Sequence, residues 1–190
     1  MQVMGLAKTR LVGLDWFRAR GDSKIPPQSV VQEIIDIIEK WAVETEFEPE
    51  RFAGYVIEMM CETQYRAHIS NGEPAISFDD MVWLACVNGW SSVRGFDYIL
   101  IDEYQDISRA REELILSTLK ANGRVICFGD EDQAIFSFTG ADLDSCHRIN
   151  ARLNSVKLPL TTNFRCGKSI ITKAQEINPK IRADVNAIDG

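Results

Sequence analysis

The spacing of apolar and polar positions changes near residue 96, from a helical repeat to short apolar runs that alternate with helical patterns. From residue 25 to residue 92, apolar side chains recur every three or four positions, as in Ile34, Ile35 and Ile38, which predicts amphipathic helices. After residue 96, short apolar runs alternate with helical patterns, which predicts strands joined by helices and therefore a parallel sheet. The pattern predicts an α/β protein in which a helical unit precedes the sheet.

Turn and capping signals set the predicted element boundaries. One short helix is expected within residues 6–18, and further helices are expected to open near Ser29, after Pro49 and at Ser77. Asn122-Gly123 is expected to turn the chain into a strand. The predicted strands are 96–101, 124–128 and 155–161, and the predicted helices between and after them are 108–120, the part beginning near Leu143, and 168–178.

These elements suggest three segments. Residues 1–24 form an N-terminal segment, residues 25–92 form a helical subdomain, and residues 93–190 form the part that contains the sheet. Five cysteines are present without any C-x-x-C pair, so reduced thiols in a cytoplasmic protein are expected. No apolar run is long enough to cross a membrane, and no membrane partner is expected.

Charge is distributed unevenly along the chain. The formal net charge is -7, which argues against a protein that coats duplex DNA. Between Arg148 and Arg182, by contrast, Glu176 is the single acidic residue among eight basic ones. Two interpretations remain open for this segment: an ordinary solvated surface, or an edge that faces a polyanion such as phosphate or nucleic acid.

Polar side chains follow the predicted strands at the point where each strand ends. Asp102 and Glu103 end the first strand, and the Gly129-Asp130-x-x-Gln133 block follows the second. Because ligands of open α/β sheets bind at this edge, the two carboxylates predict a site for Mg²⁺ beside a nucleotide triphosphate. Arg165, after the third predicted strand, carries a guanidinium that can neutralise a transferring phosphoryl group.

Three ordered blocks together resemble the superfamily 1 DNA helicases of the UvrD/Rep type. That family reads D-E-x-Q-D at its Walker B strand, then G-D-x-x-Q-[SA]-I-[YF]-x-[FW]-[RT]-G-A, then N-[YF]-R-[SC]. This chain reads D-E-Y-Q-D at 102–106, G-D-E-D-Q-A-I-F-S-F-T-G-A at 129–141 and N-F-R-C at 163–166. The resemblance implies an incomplete RecA-like parallel sheet of the P-loop NTPase type with an inserted α-helical subdomain.

The resemblance implies roles for the catalytic residues. Asp102 would coordinate Mg²⁺, Glu103 would orient and deprotonate the attacking water, and Gln133 would sense the γ-phosphate of ATP. Arg165 would contact the same phosphate. The expected cofactors are therefore ATP and Mg²⁺.

The resemblance also implies residues that bind nucleotide or DNA. Gln105 and Asp130 are expected in the nucleotide site, and Phe164 stands where the family often has a tyrosine near the adenine. Phe138 stands where an aromatic side chain stacks on a single-stranded base. Thr139 replaces an arginine that is common at the neighbouring DNA-contact position. Single-stranded or partly duplex DNA is thus the expected macromolecular partner.

The phosphate-cradling loop of the family, G-x-x-x-x-G-K-[ST], does not occur upstream of residue 96. The chain is therefore expected to be an internal segment of a helicase motor domain, inactive alone. In the family's sheet, the strand that precedes this loop lies between the strands predicted at 124–128 and 155–161. The resulting gap predicts that the chain repacks, pairs through the open sheet edge with another copy, or needs a missing helicase segment in trans.

Three hypotheses for function remain open from the sequence. The first is a segment of an ATP-dependent DNA helicase, with 3′→5′ polarity as the resemblance implies. The second is a non-enzymatic module that binds DNA or a helicase and regulates it. The third is one half of a split helicase whose phosphate loop lies on another chain.

Overall fold

A computed structural model describes residues 2–21, 23, 25–65, 68–70, 73–90, 95–133 and 145–189, with backbone alone at 65, 68–70 and 73–75. Within it the chain divides into two units, Met1–Leu153 and Asn154–Gly190. The first unit contains a helical core and a two-stranded parallel sheet, and the second contains a short helix and a minimal sheet.

Five helices build the core of the first unit. They are α1 (Gln2–Thr9), α2 (Leu14–Ala19), α3 (Gln28–Lys40), α4 (Pro49–Tyr65) and α5 (Phe78–Val87). Their apolar faces bury Phe17, Ile34, Met60 and Trp83 in one cluster, in which Trp83 is 0% exposed. The Phe17 and Trp83 rings meet edge to face, with centroids 5.1 Å apart.

The N-terminal segment contains two helices where the sequence predicted one. The chain turns between α1 and α2 through Leu11 and Gly13, which have φ values of 55° and 63°. Glycine is needed at position 13 because a Cβ atom there would lie 2.9 Å from a methyl carbon of Val30. Both helices bury side chains in the core that α3, α4 and α5 share.

Two predicted helix starts have different outcomes. The start at Ser77 is confirmed: its hydroxyl accepts the Asp80 backbone N–H, and the Asp80 carboxylate accepts the Ser77 N–H. The capping box predicted at Ser29 is wrong. Helix α3 begins one residue earlier, after Pro27, which has extended backbone and no side-chain acceptor for the helix N–H groups.

A small hairpin lies between α4 and α5. Strands β1 (His68–Ser70) and β2 (Glu73–Ala75) pair antiparallel, with His68 opposite Ala75. The hydrophobic periodicity of this part of the chain gave little sign of strands. The Asn71-Gly72 dipeptide falls between them, outside the described residues.

The predicted parallel sheet is confirmed for its first two strands. Strand β3 (Phe96–Ile101) runs parallel to β4 (Leu119–Cys127), and helix α6 (Arg109–Ser117) connects them. Beyond the paired residues, the Phe128 N–H donates to the Ile101 carbonyl at 2.7 Å, and the Tyr104 N–H donates to the Phe128 carbonyl at 3.0 Å. The two strands therefore deliver their following loops to the same edge.

The turn predicted at Asn122-Gly123 is wrong, because β4 already begins at Leu119 and includes both residues. The pairing register shifts between Phe96 and Tyr98, which absorbs the extra residues of β4. A Cβ atom at Gly123 would lie 2.9 Å from the Phe96 carbonyl oxygen, so close strand packing replaces the expected turn.

The two faces of this sheet differ. One face packs against α6 and against α7 (Ser145–Leu153), in a cluster that includes Ile101, Cys146 and Ile149. The opposite face exposes large apolar side chains, and β4 has no second neighbouring strand among the described residues. The side chains exposed on that face are Phe96, Tyr98, Leu100, Ile126 and Phe128.

The second unit lacks the predicted third strand. Residues 155–161 run without strand pairing, and Leu160 in this segment is 92% exposed. The sheet of this unit consists of β5 (Thr162–Asn163) parallel to β6 (Arg182–Ala183), with α8 (Lys168–Ala174) between them. An apolar run becomes a strand only where partners bond its backbone along its length. Here the Thr161 carbonyl, at the end of the run, accepts the Arg182 N–H at 2.7 Å, and the paired strand begins only at Thr162.

The described part of the chain contains no helix that is both long and apolar enough to cross a bilayer. The three segment boundaries predicted from the sequence stay a prediction.

Candidate active site

Asp102 and Glu103 lie directly after β3, and both are exposed at the carboxyl edge of the sheet. Glu103 adopts a left-handed backbone conformation, with φ 51° and ψ 46°, which is uncommon outside glycine and asparagine. One carboxylate oxygen of Asp102 accepts the Glu103 N–H at 3.1 Å. The sharp turn places two neighbouring carboxylates side by side in solvent.

Gln105 joins this turn to the loop after β4. It lies in a 3₁₀ turn over Tyr104–Asp106 and is 2% exposed. Its side-chain amide nitrogen donates to Glu103 Oε2 at 2.7 Å, and its amide oxygen accepts the backbone N–H of Asp130 at 3.1 Å. The amide therefore bridges the two loops that carry the predicted catalytic residues.

The loop after β4 continues this hydrogen-bonded chain. The Gln133 side-chain amide donates to Asp130 Oδ2 at 2.8 Å, and the Gln133 backbone N–H donates to the Asp130 carbonyl at 3.0 Å. Both side chains are exposed. Hydrogen bonds thus connect Glu103, Gln105, Asp130 and Gln133, and we call this set the edge network.

Gly129 makes the close contact between the two loops possible. A Cβ atom at this position would lie 2.3 Å from Gln105 Oε1 and 2.5 Å from Tyr104 Cδ1. The Ser145 hydroxyl, at the start of α7, donates to the Gln105 carbonyl at 2.8 Å. Three elements therefore hold Gln105 in place.

Asp106 adds a half-buried acid next to the edge network. Burial raises the pKa of its carboxyl above 3.8, and the negative charge of Glu103 adds to the effect. Its Oδ1 atom is buried and has no hydrogen-bond partner in the part of the chain that the structure describes. This edge therefore contains carboxyls in different environments: Asp102, Glu103 and Asp130 are exposed, and Asp106 is partly enclosed.

Phe164 and Arg165 belong to the second unit, where both are exposed. Asn163 shapes this segment, because its Oδ1 accepts the backbone N–H groups of Arg165 at 2.9 Å and Cys166 at 2.8 Å. The turn fixes the backbone of the N-F-R-C block. The roles of Phe164 and Arg165 in a common site with Asp102 stay a prediction.

The predicted DNA-contact residues Phe138 and Thr139 lie outside the described residues, as does the rest of 134–144.

Ion pairs within the described residues involve basic residues in both halves of 148–182. Arg148 and Arg152 pair with the buried carboxylate of Glu112, at 2.6 Å and 3.2 Å. In the second unit, Lys173 pairs with Glu176 and Lys168 with Asp189. These pairs favour the interpretation of this segment as an ordinary folded surface over that of a basic groove for nucleic acid.

The carboxylates suit Mg²⁺ better than a metal that needs a full protein cage. The described residues contain no group of three or more His, Cys, Asp or Glu that could hold a metal ion. Mg²⁺ usually takes only one or two carboxylates and completes its shell with water and substrate phosphates. The exposed Asp102 carboxylate, which uses one oxygen for the Glu103 N–H, fits that requirement.

Sequence reasoning missed three features of the site. It did not identify the shaping role of Asn163, the Ser145 hydrogen bond, or the burial of Gln105. For Asn163 a signal existed, since asparagine two or three residues before the bonded N–H groups is typical of such turns. The Ser145 contact joins residues 40 positions apart, and no local pattern indicates it.

Comparison with known proteins supports the resemblance. The family model for the UvrD/REP helicase N-terminal domain matches residues 29–154, more than half of the chain. That match includes the edge network and excludes Arg165.

Individual helicases align with parts of the chain. ATP-dependent DNA helicase PcrA of Staphylococcus epidermidis is 29% identical over 122 residues, 60% of this chain and 16% of the relative. ATP-dependent DNA helicase Rep of Buchnera aphidicola is 26% identical over 136 residues, 67% of this chain and 20% of the relative. A probable DNA helicase II homolog of Mycoplasma capricolum is 33% identical over 86 residues, 45% of this chain and 12% of the relative.

The chain thus spans a fifth or less of the length of these relatives. The order of the motifs, the parallel strands that present them and the matched family model agree with one another. The chain belongs to the UvrD/REP helicase N-terminal domain family.

Proposed function

We propose that this chain is a segment of an ATP-dependent DNA helicase and supplies the hydrolytic edge of its RecA-like motor domain. The observation that carries the proposal is the edge network. It joins the predicted general base, Glu103, to the predicted γ-phosphate sensor, Gln133, across the ends of two parallel strands. In open α/β sheets this is the edge at which ligands bind.

Each predicted site residue has its own role in ATP hydrolysis. Asp102 would hold Mg²⁺, which would neutralise charge on the phosphates of ATP. Glu103 orients the attacking water and accepts its proton. Gln133 senses the γ-phosphate, Arg165 contacts it, Asp130 belongs to the nucleotide site, and Phe164 packs near the adenine.

The DNA contact of the proposal rests on the block at 129–141. Phe138 stacks on a base of a single strand, and Thr139 follows it in the sequence at the neighbouring DNA-contact position. Base stacking on an aromatic side chain contributes about 1–3 kcal/mol for each base. Movement along the strand has 3′→5′ polarity in this proposal, as in the family that the motifs resemble.

A second polypeptide segment completes the sheet in this proposal. Parallel sheets are normally covered on both faces. Here β4 keeps an open edge among the described residues, and the face with Tyr98 and Ile126 is exposed. A strand followed by a helix would pair with the edge and cover the face. These 190 residues contain no G-x-x-x-x-G-K-[ST] sequence, so the incoming segment carries the phosphate loop.

Reconstitution of ATP hydrolysis tests the proposal. The chain is mixed with a polypeptide that carries the phosphate-loop strand and helix of a relative such as Staphylococcus epidermidis PcrA, and Mg²⁺-dependent phosphate release is measured. The chain alone is expected to release phosphate at background rate, and the mixture is expected to hydrolyse ATP. Glu103→Gln is expected to lower turnover by about 10²–10⁴-fold, the range typical of a lost general base.

Glu58→Gln is the matched control, because Glu58 is an exposed residue of α4 within the helical unit. It is expected to leave turnover unchanged. Equal turnover in Glu103→Gln and Glu58→Gln would contradict the proposed role of Glu103. A mixture that binds no Mg-ATP would contradict the proposal as a whole.

Single-strand binding is tested separately with a fluorescent oligonucleotide. Phe138→Ala is expected to weaken binding by about five- to a hundredfold, the equivalent of one lost stacking contact. Phe78→Ala is the control, since Phe78 is an exposed aromatic side chain on α5. Loss of DNA binding in Phe138→Ala, with no nucleotide binding by any mixture, would favour a non-enzymatic DNA-binding module instead.

A further inference from the structure

The buried amide of Gln105 has two partners that require opposite ends of the group. Its NH₂ group donates to the Glu103 carboxylate, and its oxygen accepts the Asp130 backbone N–H. A flipped amide would point an oxygen at a carboxylate and an NH₂ group at an N–H, and both contacts would be repulsive. The partners therefore determine the orientation of the amide.

Burial separates Gln105 from the residues around it that face solvent. Glu103, Asp130 and Gln133 are exposed at the edge, whereas Gln105 is 2% exposed. Both ends of its amide are already bonded within the protein. A nucleotide would have to displace one of these bonds to reach the Gln105 side chain. Gln105 is therefore placed to affect the site through the residues that it bonds, not by contact with the nucleotide.

The surroundings of Gln105 leave it little freedom to move. Ser145 holds its carbonyl from α7, and the missing Cβ of Gly129 leaves the space that its amide oxygen occupies. Glu103, by contrast, stands on an exposed turn with left-handed backbone. The Gln105 amide provides a fixed donor for an otherwise solvent-exposed carboxylate.

We propose that Gln105 is a positioning residue that couples the Glu103 carboxylate to the Asp130–Gln133 loop. It holds the carboxylate in one orientation, and through the Asp130 N–H it links that orientation to the loop that senses the γ-phosphate. The catalytic part of this inference rests on the function proposed above. The coupling itself is a property of the chain without nucleotide and can be measured without turnover.

A double-mutant cycle followed by amide hydrogen exchange tests the coupling in the full chain. Glu103→Gln is expected to change the exchange rate of the Asp130 N–H in the otherwise unchanged chain, and to have no further effect in a Gln105→Leu background. Gln105→Leu alone is expected to speed that exchange by about two- to tenfold, the effect of losing one hydrogen bond. Equal effects of Glu103→Gln in both backgrounds would overturn the coupling.

Gln105→Glu is the second variant, in case the leucine side chain disturbs the fold. It keeps the size of the side chain and replaces the donor with an oxygen that repels Glu103. Gln32→Glu is the control, because Gln32 is exposed on α3 and its side-chain amide donates to Asp36 one turn away. Thermal unfolding followed by circular dichroism verifies that each variant is folded.

The kinetics of the reconstituted reaction then distinguish a positioning role of Gln105 from direct contact with the nucleotide. Gln105→Glu is expected to lower kcat by about tenfold or more with KM for ATP nearly unchanged, since it misorients Glu103, whose contact with the attacking water matters in the transition state, and leaves nucleotide contacts intact. A raised KM with unchanged kcat would instead identify Gln105 as a nucleotide contact and overturn the inference. If Glu103→Gln does not lower turnover, the proposed role of Glu103 fails, and if no mixture binds Mg-ATP, the proposed function fails; in both cases the hydrogen-exchange cycle still decides the coupling.

Discussion

The ammonium group of Lys8 donates a hydrogen bond to the carboxylate of Asp80 in the middle of the helical core. The two residues are 1% and 4% exposed and lie 72 positions apart in the chain. Lys8 also reaches the Thr63 hydroxyl at 3.4 Å and lies 5.4 Å from the centre of the Trp83 ring. One buried cation thus joins α1, α4 and α5, and it must keep its partners because an isolated buried charge is strongly unfavourable.

Removing the cation is expected to destabilise the first unit. Lys8→Met should lower the free energy of unfolding by about 3–5 kcal/mol, because it leaves the Asp80 carboxylate buried without its counterion. Urea titration followed by tryptophan fluorescence measures the change. Lys40→Met, at the exposed end of α3, should change the same quantity by less than about 0.5 kcal/mol. Similar losses of unfolding free energy in both variants would show that the buried Lys8–Asp80 pair contributes no more to stability than an exposed lysine.

The neighbouring carboxyls of α5 are expected to give opposite pH dependences. Burial raises the pKa of Asp79 above 3.8, and the negative charge of Asp80 adds to it. Burial also acts to raise the pKa of Asp80, but hydrogen bonds from Lys8 and Ser77 outweigh it and hold that pKa below 3.8. Ionised Asp79 therefore opposes folding at neutral pH, whereas ionised Asp80 supports it.

Two asparagine variants test these opposite effects on the free energy of unfolding, measured by urea titration between about pH 3 and pH 7. Asp79→Asn is expected to increase the free energy of unfolding near neutral pH, with the gain disappearing as the pH falls from the raised native pKa to 3.8. Asp80→Asn is expected to decrease it near neutral pH, with the loss shrinking as the pH falls from 3.8 through the lowered native pKa. Changes of the same sign in the free energy of unfolding near neutral pH would refute the opposite pKa shifts of Asp79 and Asp80.

Gly129→Ala is expected to disrupt the edge network. The added methyl group would overlap Gln105 Oε1 and Tyr104 Cδ1, and both side chains are buried. Overpacking of this kind costs about 1–3 kcal/mol, and the Asp130 N–H should lose its protection from hydrogen exchange. Gly54→Ala is the matched control, because no atom lies within 4 Å of a Cβ at this helical position. That control should stabilise the protein by about 0.5–1 kcal/mol.

Cysteine labelling near neutral pH is expected to follow burial. Burial raises the pKa of Cys86 to about 11, and its thiol donates to the Ala110 carbonyl, so it should stay unmodified in the native protein. Cys166 should react first and Cys127 more slowly, since burial also raises the pKa of Cys127. Peptide mass spectrometry after brief exposure to iodoacetamide gives the order. Early labelling of Cys86 would show that α5 and α6 separate readily.

Local chemistry in the sequence was sufficient to predict the parts of this protein that depend on near neighbours. The apolar runs that end at Asp102 and before Gly129 predicted two parallel strands with their polar ends at one edge, and the structure has them. The Ser77 start of α5 needed only the residues of its own first turn. Motif order alone identified the family, because three blocks with fixed residue types rarely occur together by chance.

Tertiary packing decided what local patterns could not. The apolar run at 155–161 has the composition of a strand, but a strand also needs a partner to bond its backbone groups. Asn122-Gly123 has the composition of a turn, yet it lies within β4, in the irregular stretch between the residues that pair with Phe96 and Tyr98. The roles of Lys8 and Gln105 depend on residues 72 and 25 positions away. Only the folded chain brings those partners together, because burial makes each polar side chain depend on the groups that surround it.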